Sequence, residues 1–206
     1  MLESRLSEKV FVVDDDDAMR DSIHWLLESV DLQTKMFVCA KDFLDYCEAE
    51  QKGCLLLDVR MPGMSGMELL ETLKSRGIML PIIIITGHGD VPMAVRALKH
   101  GAFDFIQKPF NSQELLDRVH AALKQDRERH QRCSEIDRRR AHLAVLTERE
   151  TEVMTLVAEG HSSKVIAQKL GISPKTVDIH RANMMRKLNV RTVVEIVQLT
   201  LHLDAH

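Results

Sequence analysis

Four short apolar runs, each leading into polar residues, constrain this chain more than any other feature. Residues 10–13 run into Asp14, Asp15 and Asp16; residues 55–57 run into Asp58; residues 82–85 run into Thr86; and residues 103–106 stop just before Lys108-Pro109. Strands buried on both faces read as unbroken runs such as VFVV, LLL and IIII, because neither face meets water. In an open parallel sheet, the groups that do chemistry gather beyond the carboxyl ends of the strands. The pattern therefore collects several acids, one hydroxyl and one lysine at one edge of one sheet, and points to a phosphate and metal site.

Between the runs lie helical patterns at 18–30, 40–50, 66–76, 91–100 and from Ser112 onward, where Asn111-Ser112 followed by Glu114 makes a helix start. Strand and helix in alternation predict a doubly wound parallel sheet. Five βα units of this size fit a flavodoxin-like (βα)5 domain over residues 1–124. No window approaches the ~20 apolar residues of a membrane span, and the N-terminus has no apolar secretion signal, so a cytoplasmic protein with no membrane partner is expected. Cys39, Cys47, Cys54 and Cys133 show no CxxC spacing and read as reduced thiols.

The charge is uneven. Residues 1–124 carry 14 Lys and Arg against 20 Asp and Glu, whereas residues 125–206 carry 14 against 11. Residues 125–145 are highly charged and free of Gly and Pro. They form either a disordered linker or a charged helix. Asp126/Arg129, Glu128/Arg132 and Glu135/Arg138 favour the helix, each pair by a few tenths of a kcal/mol. From residue 146 the rhythm is purely helical. Thr147 and Glu150 form a capping box, with Val153, Met154, Leu156 and Val157 following and Gly160 as the stop. Ser162 or Ser163 opens a short helix that Gly171 ends. Ser173-Pro174 opens the next, with Pro at the first helical position, where its missing N–H is harmless. A last, largely apolar helix spans roughly 192–202. Short helix, tight turn and basic second helix describe a helix-turn-helix. Lys164, Lys169, Lys175, Arg181, Arg186, Lys187 and Arg191 stand against Asp178 alone over residues 160–192, a footprint suited to nucleic acid.

Clustered carboxylates repel one another, and a divalent cation relieves that repulsion. Mg²⁺ takes one or two carboxylates with waters and phosphate oxygens. Asp58 can then act as a nucleophile toward a phosphoryl group and form an acyl phosphate. Lys108 and the metal would neutralise the transferring oxygens, and Thr86 would donate to the new group. A plainer alternative is that Asp14–Asp17 merely cap the following helix. What separates the two readings is the conjunction of polar groups on successive strand ends.

Residues 8–124 resemble the receiver domain of two-component response regulators. The resemblance rests on VVDDD, LLLDVRMPGMSG, IIIITGHGD and DFIQKPF. It implies Mg²⁺ (or Mn²⁺) held by Asp14, Asp15, Asp58 and the backbone carbonyl of Arg60, phosphorylation of Asp58 by a cognate histidine kinase, and a switch pair of Thr86 and Phe105. Phe105 stands where this family often has tyrosine. TGHGDVPMAV resembles FixJ-type regulators, which implies a homodimer through Val91, Val95, Lys99 and Asp104 when phosphorylated; ordinary burial of Val95 is the alternative.

Residues 147–203 resemble the LuxR/NarL/FixJ class of DNA-binding domains through the LTERETEVMTLVAEG and KVIAQKLGISPKTVDIHRANMMRKL stretches. Val177, Met184 and Leu188 share one helix face and should point to the core. By the resemblance Asp178, Ile179 and Ala182 approach bases, while Lys164, Thr176, His180, Arg181 and Lys187 suit the backbone, with Lys175 also on the groove side. His180 is alternatively a packed polar residue. The expected whole is a phosphoacceptor and transcription regulator rather than a turnover enzyme, with promoter DNA and RNA polymerase as partners and activation as the expected sense. A phosphohydrolase is the rival, but DDDDAM lacks the DxDx[TV] pattern of haloacid-dehalogenase-type enzymes. An output that binds RNA or protein is the second rival.

Overall fold

The computed structural model describes residues 8–48, 50–87 and 91–200, apart from the side chains at 91, 139, 140, 198 and 200. The chain divides into two compact units, Met1–His130 and Gln131–His206. The first is a five-stranded parallel sheet, comprising β1 (Lys9–Val13), β2 (Thr34–Phe37), β3 (Gly53–Asp58), β4 (Ile82–Thr86) and β5 (Asp104–Gln107) in the order β2-β1-β3-β4-β5. Helices α1 (Asp17–Glu28), α2 (Ala40–Tyr46), α3 (Gly66–Ser75), α4 (Val91–Lys99) and α5 (Ser112–Leu143) follow the five strands in turn. The expected flavodoxin-like architecture is therefore present.

Alternation along each strand builds two cores. Phe11, Val13, Leu55, Leu57, Ile82 and Ile84 pack with Phe43 of α2 and with Leu69, Leu70 and Leu73 of α3. Val10, Val12, Leu56, Ile83 and Ile85 face the other way, onto Ile23 and Leu27 of α1 and Leu115, Val119 and Leu123 of α5. Every residue of β3 and β4 is buried, which is why those strands carry no polar alternation. Burying one such Leu or Ile side chain contributes about 1.5–3 kcal/mol. The apolar runs do not reveal β2. Among the described residues it pairs only with β1, and its sequence TKMF is half exposed, so its signal is weak.

Helix α5 continues without a break through the charged segment to Leu143. The helical alternative for 125–145 is the one found. Asp126, expected in the linker, lies in the first unit instead. It is 1% exposed. Its carboxylate accepts from the backbone N–H of Gly53 at 2.9 Å and from Arg129 at 2.6 Å. Gly53 has φ of 131°, and a Cβ there would sit 1.8 Å from the carbonyl oxygen of Lys9. Only glycine allows β3 to start this close to β1.

The second unit contains α6 (Glu148–Ala158), α7 (Ser163–Leu170), α8 (Pro174–Lys187) and α9 (Val193–Thr200). The last helix was expected to reach residue 202, and 201–206 lie outside the described residues. Val153, Met154, Val157, Ile166, Val177, Met184, Leu188 and Ile196 form its core. Val177 and Met184 of α8 and Leu188 at its C-cap, expected to point inward, do so. All four cysteines are free. Among the described residues no helix is long and apolar enough to cross a membrane.

Asp126→Ala should lower the stability of the first unit by about 1–3 kcal/mol, since it strands the buried Gly53 N–H. Urea titration followed by the fluorescence of Trp25 measures this. A midpoint equal to wild type would mean the contact contributes nothing net.

Candidate functional site

Strand register brings the predicted acids together. Val13 pairs with Leu57, and Asp58 with Ile85, so Asp14, Asp58 and Thr86 emerge at one edge of the sheet. Asp14 is 2% exposed, Asp58 7% and Thr86 2%. Between the two acids lies the Lys108 ammonium, 2.8 Å from Asp14 Oδ2 and 2.7 Å from Asp58 Oδ1. Lys108 is itself placed by its backbone N–H, which donates to the Thr86 carbonyl at 2.7 Å. Asp58 Oδ2 accepts from the backbone N–H of Arg60 at 2.6 Å. Burial pushes the Asp58 carboxyl above its ordinary pKa, against the opposing hydrogen bond and charge of Lys108. Burial alone would lower Lys108, but its hydrogen bonds to Asp14 and Asp58 outweigh that and raise it. The lysine is therefore a held cation.

The four consecutive acids divide their work. Asp14 Oδ1 accepts from the N–H of Asp16 at 2.9 Å and its other oxygen meets Lys108. Asp16 caps α1, accepting from the N–H groups of Ala18 and Met19, so the plainer capping alternative holds for that residue. Asp17 pairs with Arg20. Asp15 is exposed, with no hydrogen bond or ion pair among the described residues. The Thr86 hydroxyl is buried and has no partner among them either. Phe105 is partly buried against the core on the α3 side.

Sequence reasoning passed over two residues here. Gly66 opens α3 so close to β3 that a Cβ would lie 2.1 Å from the carbonyl oxygen of Asp58. The GMSG stretch was the available signal. Arg20, 8% exposed, was not singled out because a lone arginine in an amphipathic helix carries no pattern.

On α4, Val95 is 43% exposed and Leu98 45%, so Val95 is not ordinary core. Lys99 is exposed, and the backbone of Val91 is helical while its side chain lies outside the described residues, as do residues 88–90 of the TGHGD stretch. Asp104 is engaged by Arg118 of α5.

In the second unit Ser173 caps α8 by accepting from the Thr176 N–H at 3.1 Å, Pro174 stands at the first position, and Gly171 ends α7 with φ of 65°. Lys164, Lys175, Asp178, Ile179 and Ala182 are exposed; Thr176, His180 and Arg181 are partly buried. Ile179 is a large apolar side chain left 53% exposed on α8. Ser163 Oγ donates to Asp178 at 2.8 Å and accepts from Arg181 at 3.3 Å, which ties the start of α7 to α8. Lys187 is directed elsewhere. Its ammonium lies 2.6 Å from Glu150 Oε2, inside the capping box of α6. Glu150 is 4% exposed. The Lys187 hydrogen bond, then the Thr147 N–H, hold its carboxyl at about 2, below the ordinary 4.5.

Known proteins share both halves. Residues 10–120 match the response regulator receiver domain, and residues 144–200 match the bacterial regulatory proteins of the luxR family. The transcriptional regulatory protein TdiR of Thauera aromatica is 44% identical over 197 residues, covering 96% of this chain and 87% of the relative. The transcriptional regulatory protein FixJ of Azorhizobium caulinodans is 44% identical over 196 residues, covering 93% and 91%. Among solved structures, the response regulator StyR has a TM-score of 0.87 at 45% identity, covering 95% of this chain and 98% of that one.

The Glu150 carboxyl sits below its unfolded value, so its contribution to stability is complete above about pH 4.5 and disappears as pH falls toward 2. Calorimetry of the full chain should show Glu150→Gln melting well below wild type at pH 7, with the gap closing progressively as pH falls from about 4.5 to about 2. A gap that does not change with pH would mean the charge of Glu150 does not matter.

Proposed function

The chain belongs to the response regulators that join a receiver domain to a LuxR-family DNA-binding domain, and from that premise we propose that Asp58 accepts a phosphoryl group from a cognate histidine kinase and thereby controls promoter binding. The observation that carries this reading is the buried Thr86 hydroxyl without a partner, beside a carboxylate and a lysine. A buried, unsatisfied hydroxyl costs about 1–3 kcal/mol. A phosphoryl oxygen on Asp58 would satisfy it.

The Asp58 carboxylate attacks phosphorus, the bond to the donor imidazole breaks with its electron pair remaining on that nitrogen, and an acyl phosphate is left. Lys108 shifts from its bridge between acids onto a phosphoryl oxygen. Thr86 turns to donate to another, and Phe105, which has no hydroxyl, follows by packing into the space left. Asp14, Asp15, Asp58 and the Arg60 carbonyl offer only oxygen, with Asp15 unengaged, a donor set suited to Mg²⁺ or Mn²⁺. Among the described residues no three acidic, His or Cys side chains converge on one point, so a bound Mg²⁺ would take its remaining ligands from water and phosphoryl oxygens. The bound cation would neutralise charge on the transferring group.

The mark is stoichiometric, and the function is regulatory rather than a turnover activity. Exposed Val95 and Leu98 support pairing of phosphorylated receivers through α4, with Lys99 beside them. Paired output domains would then engage two half-sites in cytoplasmic promoter DNA, recruit RNA polymerase and activate transcription. Moving such a switch from 1% to 99% active needs about 5.5 kcal/mol of differential stabilisation, which dimerisation coupled to DNA binding can share. Lys164 and Lys175 are suited to phosphates, and Asp178, Ile179 and Ala182 to the groove. Lys187, tied to Glu150, holds α8 in place.

With a small-molecule phosphodonor and Mg²⁺, wild type should gain one hydroxylamine-labile phosphoryl group and shift to a dimer in sedimentation. It should bind a duplex selected from a random library at least about tenfold more tightly, equivalent to about 1.4 kcal/mol. Asp58→Asn should do none of these. Equal phosphodonor-dependent binding by wild type and Asp58→Asn would refute the switch.

A further inference from the structure

Among the described residues, Arg20 is the one buried charged side chain near the acidic edge to which the chemistry above gives no task. It lies in α1, six residues after Asp14, and is 8% exposed. Its Nη1 donates to the backbone carbonyl of Asp14 at 2.5 Å, and Nη2 pairs with Asp17 Oδ1. Two physical terms oppose this placement. A cation near a helix N-terminus faces the positive end of the helix dipole, and desolvating a guanidinium costs several kcal/mol unless it is fully paired. The side chain nevertheless reaches backward toward the first acid rather than out to water.

We infer that Arg20 is the positioning residue that preorganises Asp14 and Asp15 for a divalent cation. The inference rests on the reading of those acids as metal ligands. Asp14 is held at four points, one of them the Lys108 ammonium on its Oδ2 at 2.8 Å. Its N–H donates to the Phe37 carbonyl at 3.3 Å, its Oδ1 accepts from the Asp16 N–H at 2.9 Å, and its carbonyl accepts from Arg20. That carbonyl belongs to the peptide plane linking Asp14 to Asp15. Because the peptide is rigid and planar, fixing the carbonyl fixes the direction in which the backbone enters Asp15. Asp15 has no hydrogen bond or ion pair of its own among the described residues to orient it. The guanidinium fork does for the second acid what Asp15 cannot do for itself. Asp17 supplies the counter-charge that keeps Arg20 buried.

A preorganised pair of ligands binds its ion more tightly without changing the chemistry that follows. Lysine cannot replace the fork, because its single ammonium has no rigid, planar pair of donors to span the carbonyl and the carboxylate. Outer partners of metal ligands typically affect affinity by about 10–100-fold.

The test uses the full chain as wild type, Arg20→Met, Arg20→Lys and Asp17→Asn, with thermal melting to confirm that each is folded. Free Mn²⁺ is counted by electron paramagnetic resonance, which gives the dissociation constant without reference to activity. Phosphorylation by a small-molecule phosphodonor is then followed against Mg²⁺ concentration. Arg20→Met is expected to weaken Mn²⁺ binding by about tenfold or more, with Arg20→Lys and Asp17→Asn in between. The half-saturating Mg²⁺ concentration should rise by the same factor while the plateau rate stays within about twofold. Should Arg20→Met not fold, Arg20→Lys decides alone. Wild-type Mn²⁺ affinity in Arg20→Lys, or a lowered plateau with unchanged half-saturation, overturns the inference and leaves the phosphoacceptor reading standing. Failure of wild type to bind Mn²⁺ removes both.

Discussion

Asp14 and Asp58 lie almost out of water at the edge of a parallel sheet, and the Lys108 ammonium between them makes that tolerable. At an effective dielectric constant of 20, two unit charges 4 Å apart interact by about 4 kcal/mol. Two unpaired acids at such a distance would oppose the register that brings β1 and β3 together. The lysine reverses the sign of the local energy, contacting both acids within 2.8 Å. Everything about the site follows from that bridge. It draws Asp14 and Asp58 onto one cation, and its hydrogen bond and charge oppose the upward push that burial gives the Asp58 carboxyl.

The second unit uses the same device for a different end. Glu150 closes the capping box of α6, and Lys187 at the end of α8 closes over it. One ion pair thus couples the start of one helix to the end of another, so the exposed surface of α8 is presented at a fixed angle to α6. Ser163, lying between Asp178 and Arg181, does likewise for α7. In both units, charged residues that a sequence reader assigns to function are partly spent on architecture. Asp126 is the extreme case. It sits in a run of charges that reads as solvated, yet its carboxylate is buried against the first N–H of β3.

Legibility in the sequence followed the range of the interaction. Strands β1, β3 and β4 were readable because burial on both faces writes an unbroken apolar run. Thr147, Ser173, Pro174 and Gly171 were readable because caps act within three or four residues. Strand β2 was not placed, because an edge strand half open to water leaves only TKMF. The exposure of Val95, left open by pattern alone, was decided by how α4 sits on Ala94 and Ala97, both buried.

By itself the sequence determined the layers of the first unit, the acids and the lysine at its edge, and the helix-turn-helix of the second. Apolar period and capping chemistry are local and survive without knowledge of the fold. Only the tertiary structure decided which partner each charge takes. Lys108 and Asp14 are separated by 94 positions, Asp126 and Gly53 by 73, and Lys187 and Glu150 by 37. No periodicity connects residues so far apart. Their pairing is set by packing, since a charge withdrawn from water must find whatever opposite charge or backbone group the fold brings within reach.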